Sequence, residues 1–318
     1  MDRSFDLICI GMALVDSIIR GFDPQPVSAS GYRAESGSLN VGGEAVNEAM
    51  AAAKLGARTG IVCCLGRDDA GDMVDAALRR CGVDTGRILR SDTHPTPVTT
   101  MFVHADGTRK SITNGAHRHN FHPERDTARF TDAGAILLGS LFRAPFDDPG
   151  IVAEVLQAAK RADQLVFADT KLPNFRFLTL ADLRDSLPLV DWITPNEDEA
   201  RYYSGRETPE EMAAVFLDHG VKNVVIKLGA QGCYFRNGKH ALRLPACAVH
   251  AVDATGAGDN FAAGLATEIL RGSDADTALR FANACGAICA SAVGAGTALR
   301  DRAQVLQLVE KERERNPV

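Results

Sequence analysis

Short apolar runs alternate with longer amphipathic stretches along most of the chain. The run FDLICI near the start is followed by AVNEAMAAAKL, and RTGIVCCLG is followed by AGDMVDAALRRC. The alternation returns in AGAILLG, GIVAEVLQAAKRA, QLVFADT, LVDWITP, PEEMAAVFLDHG and KNVVIKLG. A repeated strand-then-helix order is typical of a parallel sheet with helices on both faces. The pattern therefore predicts a three-layer α/β body.

Two regions break this rhythm. Residues 12–40 show no clear helix before Gly42, and residues 92–118 alternate Val, Thr, Met and Phe around an Asp-Gly pair, which predicts a β-hairpin. If both regions leave the same edge of the sheet, they form a small β lid inserted in a single domain of residues 1–318. An apolar lid face would need a partner, so a homodimer through the lid is a hypothesis.

Composition and charge narrow the range of partners. The 318 residues are 45% hydrophobic and 24% charged, with a net charge of -6 and no Lys/Arg run. Nucleic acid is not an expected partner, although Arg109, Lys110 and Arg118 would give a local basic patch. The N-terminal apolar run is shorter than a signal-peptide core, and no stretch approaches a membrane span. We expect a cytoplasmic protein that does not bind membranes.

The eight cysteines form no CxxC pair and several lie in apolar runs. This usage predicts reduced thiols that pack in the core. Cys285 and Cys289 are spaced to share one helical face, but two soft ligands do not make a metal site.

The segment VDATGAGDNFAAG carries the clearest chemistry. Gly256, Ala257 and Gly258 leave backbone N–H groups uncovered before a helix predicted over residues 260–271, and Asp259 falls in its first turn. Free amides and the positive end of a helix bind anions. A carboxylate at such a place needs a task beside the anion, such as orienting a hydroxyl that attacks phosphorus. The segment therefore indicates phosphoryl transfer.

A second glycine-rich stretch, NVGGEAVNEAMAAAKLG, precedes another helix. Gly42 and Gly43 permit close backbone approach, and the carboxamide of Asn47 lies in the first turns, so a polyol is a suitable ligand. Tight packing of the helix under a strand explains the glycines equally well. Asp16, after the first strand, is suited to accept hydrogen bonds from two vicinal hydroxyls, but alone it would be an ordinary loop acid.

In combination these segments resemble the ribokinase family of carbohydrate kinases, also called PfkB kinases. GGEAVNEAMAAAKLG matches the N-terminal signature of that family and VDATGAGDNFAAG matches its C-terminal signature, and the resemblance covers nearly the whole chain. It implies a ribokinase-like fold and the transfer of the γ-phosphoryl group of ATP to a hydroxyl of a sugar-like alcohol, with Mg²⁺ present. Asp259 would accept the proton while the amides of Ala257 and Gly258 stabilise charge.

The resemblance extends to TPNEDEA and VIKLGAQG. The first matches an NxxE element, so Asn196 and Glu199 would organise Mg²⁺ through water near the phosphates, although a plain helix start reads the same way. The second lies along the nucleotide in relatives, which makes Lys227, Gly229 and Gly232 candidates.

By the same analogy Asn283 would lie near the adenine. Asp253 and Thr255, with the later loop VGAGT, match the place where many relatives bind potassium. A K⁺ site is therefore a further hypothesis, set against the simpler one that Asp253 caps the turn. We also expect the helix N-terminus to keep Asp259 ionised and hence a weak base.

The acceptor is less well defined. Leu14 stands where ribokinases usually carry Asn, and Glu44 replaces the Lys of the ribokinase-like GGKGAN. Asp169 and Lys171 belong to a partial match to the DxNxR-like stretch of fructokinases and 2-keto-3-deoxygluconate kinases. A keto acid would need an Arg in the lid, and Arg109 lies beyond the turn, so we expect a neutral sugar.

Two alternatives stay open. A nucleoside kinase of the same family would need an aromatic platform, for which Phe102, Tyr32 and His104 are candidates. A sugar-binding regulator that has lost catalysis would not need Asp259, Asn196 and Glu199 together.

Overall fold

Fourteen strands and eight α-helices are found in the computed structural model, which describes residues 3–21, 34–104, 109–114 and 121–315. The strands are β1 Phe5–Ile10, β2 Leu14–Arg20, β3 Ser36–Gly42, β4 Thr59–Val62, β5 Cys64–Gly66, β6 Leu89–Ser91, β7 Val98–Val103, β8 Arg109–Thr113, β9 Ala133–Leu141, β10 Leu165–Thr170, β11 Trp192–Ile193, β12 Asn223–Lys227, β13 Cys233–Asn237 and β14 Ala241–Leu244. The helices are α1 Glu44–Lys54, α2 Asp69–Arg80, α3 Pro149–Arg161, α4 Glu197–Ser204, α5 Pro209–Asp218, α6 Ala257–Leu270, α7 Ala275–Ala290 and α8 Arg302–Arg315.

The central sheet has eight strands in the order β14-β13-β12-β11-β10-β9-β1-β4. The pairs from β12 to β4 are parallel, and β13 and β14 add an antiparallel edge. Because the parallel strands point the same way, their carboxyl ends and the loops that follow them meet at one side of the body. Ligands bind at this side in open α/β sheets.

Alternating side chains of the strands build a separate core on each face of the sheet. Leu7 and Cys9 of β1 pack with residues of α1, α2, α6, α7 and α8, whereas Ile8 and Ile10 pack with α3, α4 and α5. The near-continuous apolar runs of the sequence therefore reflect strands that are buried on both sides.

The apolar runs place most elements correctly and misplace some boundaries. RTGIVCCLG contains two strands, because β4 joins the central sheet and β5 pairs with β6 in a two-stranded sheet. LVDWITP contributes only the two residues of β11 to the ladder. The helix predicted over residues 260–271 begins earlier, at Ala257.

A second sheet of four strands, in the order β3-β2-β7-β8, stands apart from the central sheet, and we refer to it as the lid. Its strands come from the two regions that break the strand–helix rhythm. Asp16 lies within β2, whereas its sequence context alone would indicate a loop. The Asp106–Gly107 turn, Tyr32 and Arg118 lie outside the described residues.

The two faces of the lid differ in character. Asp16 is paired with Thr99, which in turn faces Thr113 on β8, and these polar residues line the interior cleft. The neighbouring row projects to the opposite face and carries Leu39 and Ile112, which are 62% and 70% exposed. The lid therefore turns polar side chains toward the cleft, together with Leu14 and Met101, and exposes Leu39 and Ile112 on its other face.

Candidate active site

A cleft of about 810 Å³ separates the lid from the carboxyl ends of the body strands. Its walls include Asp169 at the end of β10, Lys227 at the end of β12 and the turn before α6. Asp16 of the lid lies on the other side. The cleft thus brings together residues that are far apart in sequence.

The turn before α6 has the geometry of an anion-binding site. Gly256 is left-handed, with φ of 77°, and an added β-carbon would overlap Ala295. N–H groups in the first turn of a helix have no carbonyl within that helix to donate to. The Ala257 N–H nevertheless donates to Ala254 O at 3.2 Å, and Ala257 is not among the described residues that line the cleft. The charge-stabilising roles expected of the Ala257 and Gly258 amides stay predictions.

Asn260 fixes this turn from beneath. Its Nδ2 donates to Gly256 O and to Ala295 O, both at 2.8 Å, and its side chain is buried. This link ties the anion-binding turn to the loop that contains VGAGT. Sequence inspection missed it because the two carbonyls belong to segments separated along the chain.

Asp259 is the third residue of α6 and is only 6% exposed. Asn47 Nδ2 donates to its Oδ2 at 2.7 Å, so Asn47 orients the carboxylate, a role that sequence inspection did not assign to it. Burial raises the pKa of Asp259 to about 6, with Glu44 and Asp169 adding to the rise and Lys171 opposing it. The expectation that the helix N-terminus keeps this pKa low is wrong, because desolvation outweighs the helix. Asp259 is accordingly a better base than expected.

Lys227 and Asp169 form a buried ion pair in the floor of the cleft, with 2.6 Å between Nζ and Oδ1. Thr194 Oγ1 also donates to this carboxylate oxygen at 2.8 Å. The Lys227 ammonium lies 3.0 Å from the place where a β-carbon on Gly258 would stand. A cation therefore stands directly beside the anion-binding turn.

Asn196 and Glu199 form a reciprocal cap at the start of α4. Asn196 Oδ1 accepts from Glu199 N at 2.9 Å, and Glu199 Oε2 accepts from Asn196 N at 3.0 Å and from Thr170 Oγ1 at 2.8 Å. The helix-start interpretation of this motif is confirmed. Both residues also line the cleft, so their predicted role near Mg²⁺ remains a prediction.

Glu48 is a buried acid under the same floor. It is 0% exposed, and neither of its carboxyl oxygens has a hydrogen-bond partner within the described part of the chain. Burial, together with the nearby carboxylates of Asp169 and Asp259, raises its pKa well above the usual range. Burial at this position therefore disfavours the charged form of Glu48.

The glycines before α1 make room for other groups. A β-carbon on Gly42 would overlap the carboxylate of Asp16, and one on Gly43, where φ is 99°, would overlap Met12 O. Gly42 thus lets Asp16 reach the cleft. Burial and the neighbouring Glu44 raise the pKa of Asp16 to about 6.

Three further charged groups, Glu44, Lys171 and Arg143, line the cleft. Glu44, the first residue of α1, lies 3.4 Å from the ammonium of Lys171, and Arg143 lies close enough to help lower the pKa of Glu44 against the effect of burial. Arg143 Nε donates to Leu172 O at 2.7 Å. Arg143 was not a sequence candidate, because nothing in its local pattern marks it as facing the cleft.

Gly232 and Asn283, two of the residues predicted to lie near the nucleotide, do not line the cleft, whereas Gly229 does. Gly232 packs against Leu244 and Pro245, where a β-carbon would overlap the backbone. Asn283 Nδ2 donates to Pro245 O at 3.3 Å in a neighbouring groove. Gly232 and Asn283 therefore meet the same segment.

Asp253 caps the turn before α6. Its Oδ1 accepts from Thr255 N at 3.0 Å and from Thr255 Oγ1 at 2.7 Å, and its Oδ2 accepts from Gly294 N at 3.2 Å. The Arg20 guanidinium lies 3.9 Å from the same Oδ2. This arrangement matches the capping hypothesis, and the potassium hypothesis stays untested.

The aromatic candidates do not all face the cleft. Phe102 is three residues after Thr99 on β7, so its side chain points to the opposite face of the sheet. Since Thr99 faces the cleft, Phe102 belongs to the outer lid face. Phe175 lines the cleft and is 61% exposed, and it had not been singled out in the sequence.

Metal and membrane features are limited. Within residues 3–21, 34–104, 109–114 and 121–315, no group of three or more His, Cys, Asp or Glu side chains is placed to hold a metal ion. All eight cysteines are free, and Cys285 and Cys289 pack in the core as expected. No helix in the described part of the chain is long and apolar enough to span a membrane.

Comparison with known proteins agrees with this geometry. Residues 5–302 match the pfkB family carbohydrate kinases. The chain belongs to this family. The kinase is 31% identical over 279 residues to a ribokinase of Haemophilus influenzae, an alignment that covers 85% of this chain and 87% of that relative. It is 29% identical over 295 residues to a 2-dehydro-3-deoxygluconokinase of Bacillus subtilis, with coverage of 87% and 88%.

A solved structure of Arabidopsis thaliana ribokinase, complexed with ribose and ATP, superposes on the kinase with a TM-score of 0.84. The two are 28% identical, and the match covers 96% of this chain and 99% of that one. The ribokinase-like α/β fold expected from the sequence is confirmed.

Proposed function

We propose that this sugar kinase transfers the γ-phosphoryl group of ATP to a hydroxyl of a neutral sugar or sugar-like acceptor. The observation that carries the proposal is the Asp259 carboxylate, which Asn47 holds in the cleft at the start of α6. The ATP complex of the A. thaliana ribokinase supports ATP as the donor.

The acceptor binds between the lid and the body, with Asp16 accepting hydrogen bonds from its hydroxyls. The reacting hydroxyl donates to Asp259, and the oxygen attacks the γ-phosphorus as the bond to ADP breaks. Asp259 takes the proton late, because the transition state is loose and alignment of the nucleophile comes first. The Gly258 N–H and the ammonium of Lys227 stabilise charge on the transferred group.

The donor set fits a magnesium ion held mainly by phosphates and water. Mg²⁺ keeps several waters and uses one or two carboxylates beside substrate phosphates, and Glu199 and Asn196 line the cleft without forming a closed metal cage. When bound, the ion would neutralise charge on the phosphates. Glu199 would orient its water, and Gly229 would lie along the nucleotide. Gly232 and Asn283 would shape the adenine end through the segment that they both contact.

The decisive assay measures ADP release from ATP and Mg²⁺, with and without K⁺, over pentoses, hexoses, keto-deoxy acids and nucleosides. Asp259→Asn serves as the blank and is expected to lose on the order of 10²–10⁴ in kcat. Wild-type turnover in that variant would disprove the role of Asp259. Higher turnover in K⁺ than in Na⁺ would support an ion at Asp253 and Thr255.

A nucleoside kinase is the second candidate, and the exposed ring of Phe175 in the cleft favours it as a platform for a base. Turnover of a nucleoside above every sugar would select this alternative. Acceptor binding without ADP production would instead indicate a catalytically silent regulator.

We also propose a homodimer through the outer lid face. Leu39 on β3 and Ile112 on β8 lie in one cross-strand row, at the two edges of the outer lid face, and both are exposed. Large exposed apolar side chains on one sheet face are typical of an interface with a partner. Sedimentation of the wild type and of Ile112→Lys tests this: the variant should become monomeric, whereas a monomeric wild type would refute the proposal.

A further inference from the structure

The Glu44–Lys171 ion pair stands inside the cleft between Asp16 and Asp259. Both side chains are partly buried, with 21% of Glu44 and 32% of Lys171 exposed. Glu44 raises the pKa of Asp16, and Lys171 opposes the rise in the pKa of Asp259. The pair therefore acts electrostatically on both the acceptor-binding acid and the base.

The charged groups around Glu44 are of both signs. Asp16 and Glu44 are acids, Lys171 and Arg143 are cations, and the acid Asp259 lines the same cleft. The Lys171 ammonium is already neutralised by Glu44. A carboxylate or phosphate on the acceptor would have to compete with Glu44 for that cation while facing two carboxylates. Specificity of this kind comes from repulsion of the wrong ligand as well as attraction of the right one.

The same pair suits an uncharged polyol. A carboxylate accepts from one hydroxyl, and an ammonium donates to the oxygen of its neighbour, so a vicinal diol satisfies both at once. Neither partner then loses its counter-charge.

We propose that the Glu44–Lys171 pair determines acceptor specificity and selects uncharged polyhydroxy acceptors against sugar acids and sugar phosphates. The inference rests on the proposed kinase function. Glu44 supplies the discrimination, because its removal leaves Lys171 and Arg143 free to receive an anion.

The test compares kcat/KM for D-ribose with D-ribonate and for D-fructose with 2-keto-3-deoxygluconate, in the wild type and in Glu44→Gln. We expect the wild type to favour the neutral member, and the variant to shift the neutral-to-acid ratio toward the acid by about 10-fold or more. Glu210→Gln, which also changes a glutamate in the first turn of a helix but lies outside the cleft, should leave the ratio unchanged.

Charge-reversal variants distinguish a loss of specificity from a folding defect. Glu44→Lys and Lys171→Glu each place two like charges together and should lower kcat/KM for the neutral acceptor, whereas the double variant restores a pair and should recover part of it. No recovery in a double variant that melts at the wild-type temperature would overturn the inference. A wild type that prefers the acids would also overturn it, as would equal effects of Glu44→Gln on both acceptor types.

Calorimetric binding of the same four compounds separates the two proposals. If no compound is phosphorylated but neutral compounds bind more tightly, with the ratio shifting in Glu44→Gln, the kinase proposal fails and the specificity role is supported. If binding shows no preference, the specificity role fails whether or not turnover is seen.

Discussion

Replacing Asp259 by Asn should stabilise the kinase while it abolishes most activity. Burial raises the pKa of Asp259 from 3.8 to about 6 in the folded chain. The folded state thus binds a proton more tightly than the unfolded state does. The contribution of Asp259 to the free energy of unfolding falls as pH rises from about 4 to about 6, because the unfolded chain loses its proton first. Above that window the wild type carries a costly buried charge.

The expected change in the free energy of unfolding follows from the pKa shift of Asp259. A difference of about two pKa units at about 1.4 kcal/mol each corresponds to about 3 kcal/mol. Asn cannot ionise, and its Oδ1 still accepts the hydrogen bond from Asn47. We therefore expect the variant to gain up to about 3 kcal/mol over the wild type above pH 6, and almost nothing at pH 4.

Urea unfolding of both proteins at several pH values between about 4 and 7.5 measures this difference. Asp191→Asn is a control of opposite sign: burial alone would raise the pKa of Asp191, but Lys160 and Lys222 more than offset that effect and lower it. That variant should be less stable at neutral pH, by about 1.5–3 kcal/mol for the lost hydrogen bonds between charged groups. A stability difference between Asp259→Asn and wild type that does not change with pH would refute the reasoning.

Three further predictions concern the cleft. The kcat of the wild type should fall as pH drops below about 6, because Asp259 becomes protonated. A pH–rate profile measures this, and a flat profile from pH 5 to 8 would exclude Asp259 as the titrating base. Asn47→Ala should lower kcat by about 10-fold with little change in the acceptor KM, since Asn47 orients the base; a rise in KM alone would make it a substrate ligand instead. Gly42→Ala should raise the acceptor KM by about 10-fold, as Asp16→Ala should, because the new methyl group displaces the Asp16 carboxylate; steady-state kinetics that leave KM unchanged in both would remove Asp16 from the site.

The fold could be predicted from the sequence wherever an element is long and periodic. FDLICI coincides with β1, and PEEMAAVFLDHG contains the whole of α5. RTGIVCCLG could not be divided, because an apolar run does not tell which sheet each half joins. β11 could not be bounded either, since Val190 and Thr194 are as buried as the two residues that pair.

The site could be predicted where one segment contains the chemistry. The turn at Gly256–Gly258 and the acid Asp259 are candidates from sequence alone because their spacing predicts an anion site, and the structure places them at the start of α6. Partnerships were not identifiable: Asn47 and Asp259 are 212 positions apart, and Arg143 enters the cleft only through the fold. The pKa of Asp259 was misjudged for the same reason, since the helix end is local and the burial that outweighs it is tertiary.

Glu44 and Lys171 are electrostatically linked to Asp259, which gives a last prediction. Glu44 raises the pKa of Asp259 and Lys171 lowers it. Glu44→Gln removes a neighbouring negative charge and leaves Lys171 unopposed, so the acid limb of the pH–rate profile should move to lower pH. Lys171→Met should move it to higher pH. Profiles for D-ribose in the two variants and in Glu210→Gln measure the shifts, and movement of both variants in the same direction would contradict the link. If the acid limbs of the two variants' profiles move in opposite directions, the basicity of Asp259 depends on Glu44 and Lys171, the same side chains that we propose select a neutral acceptor.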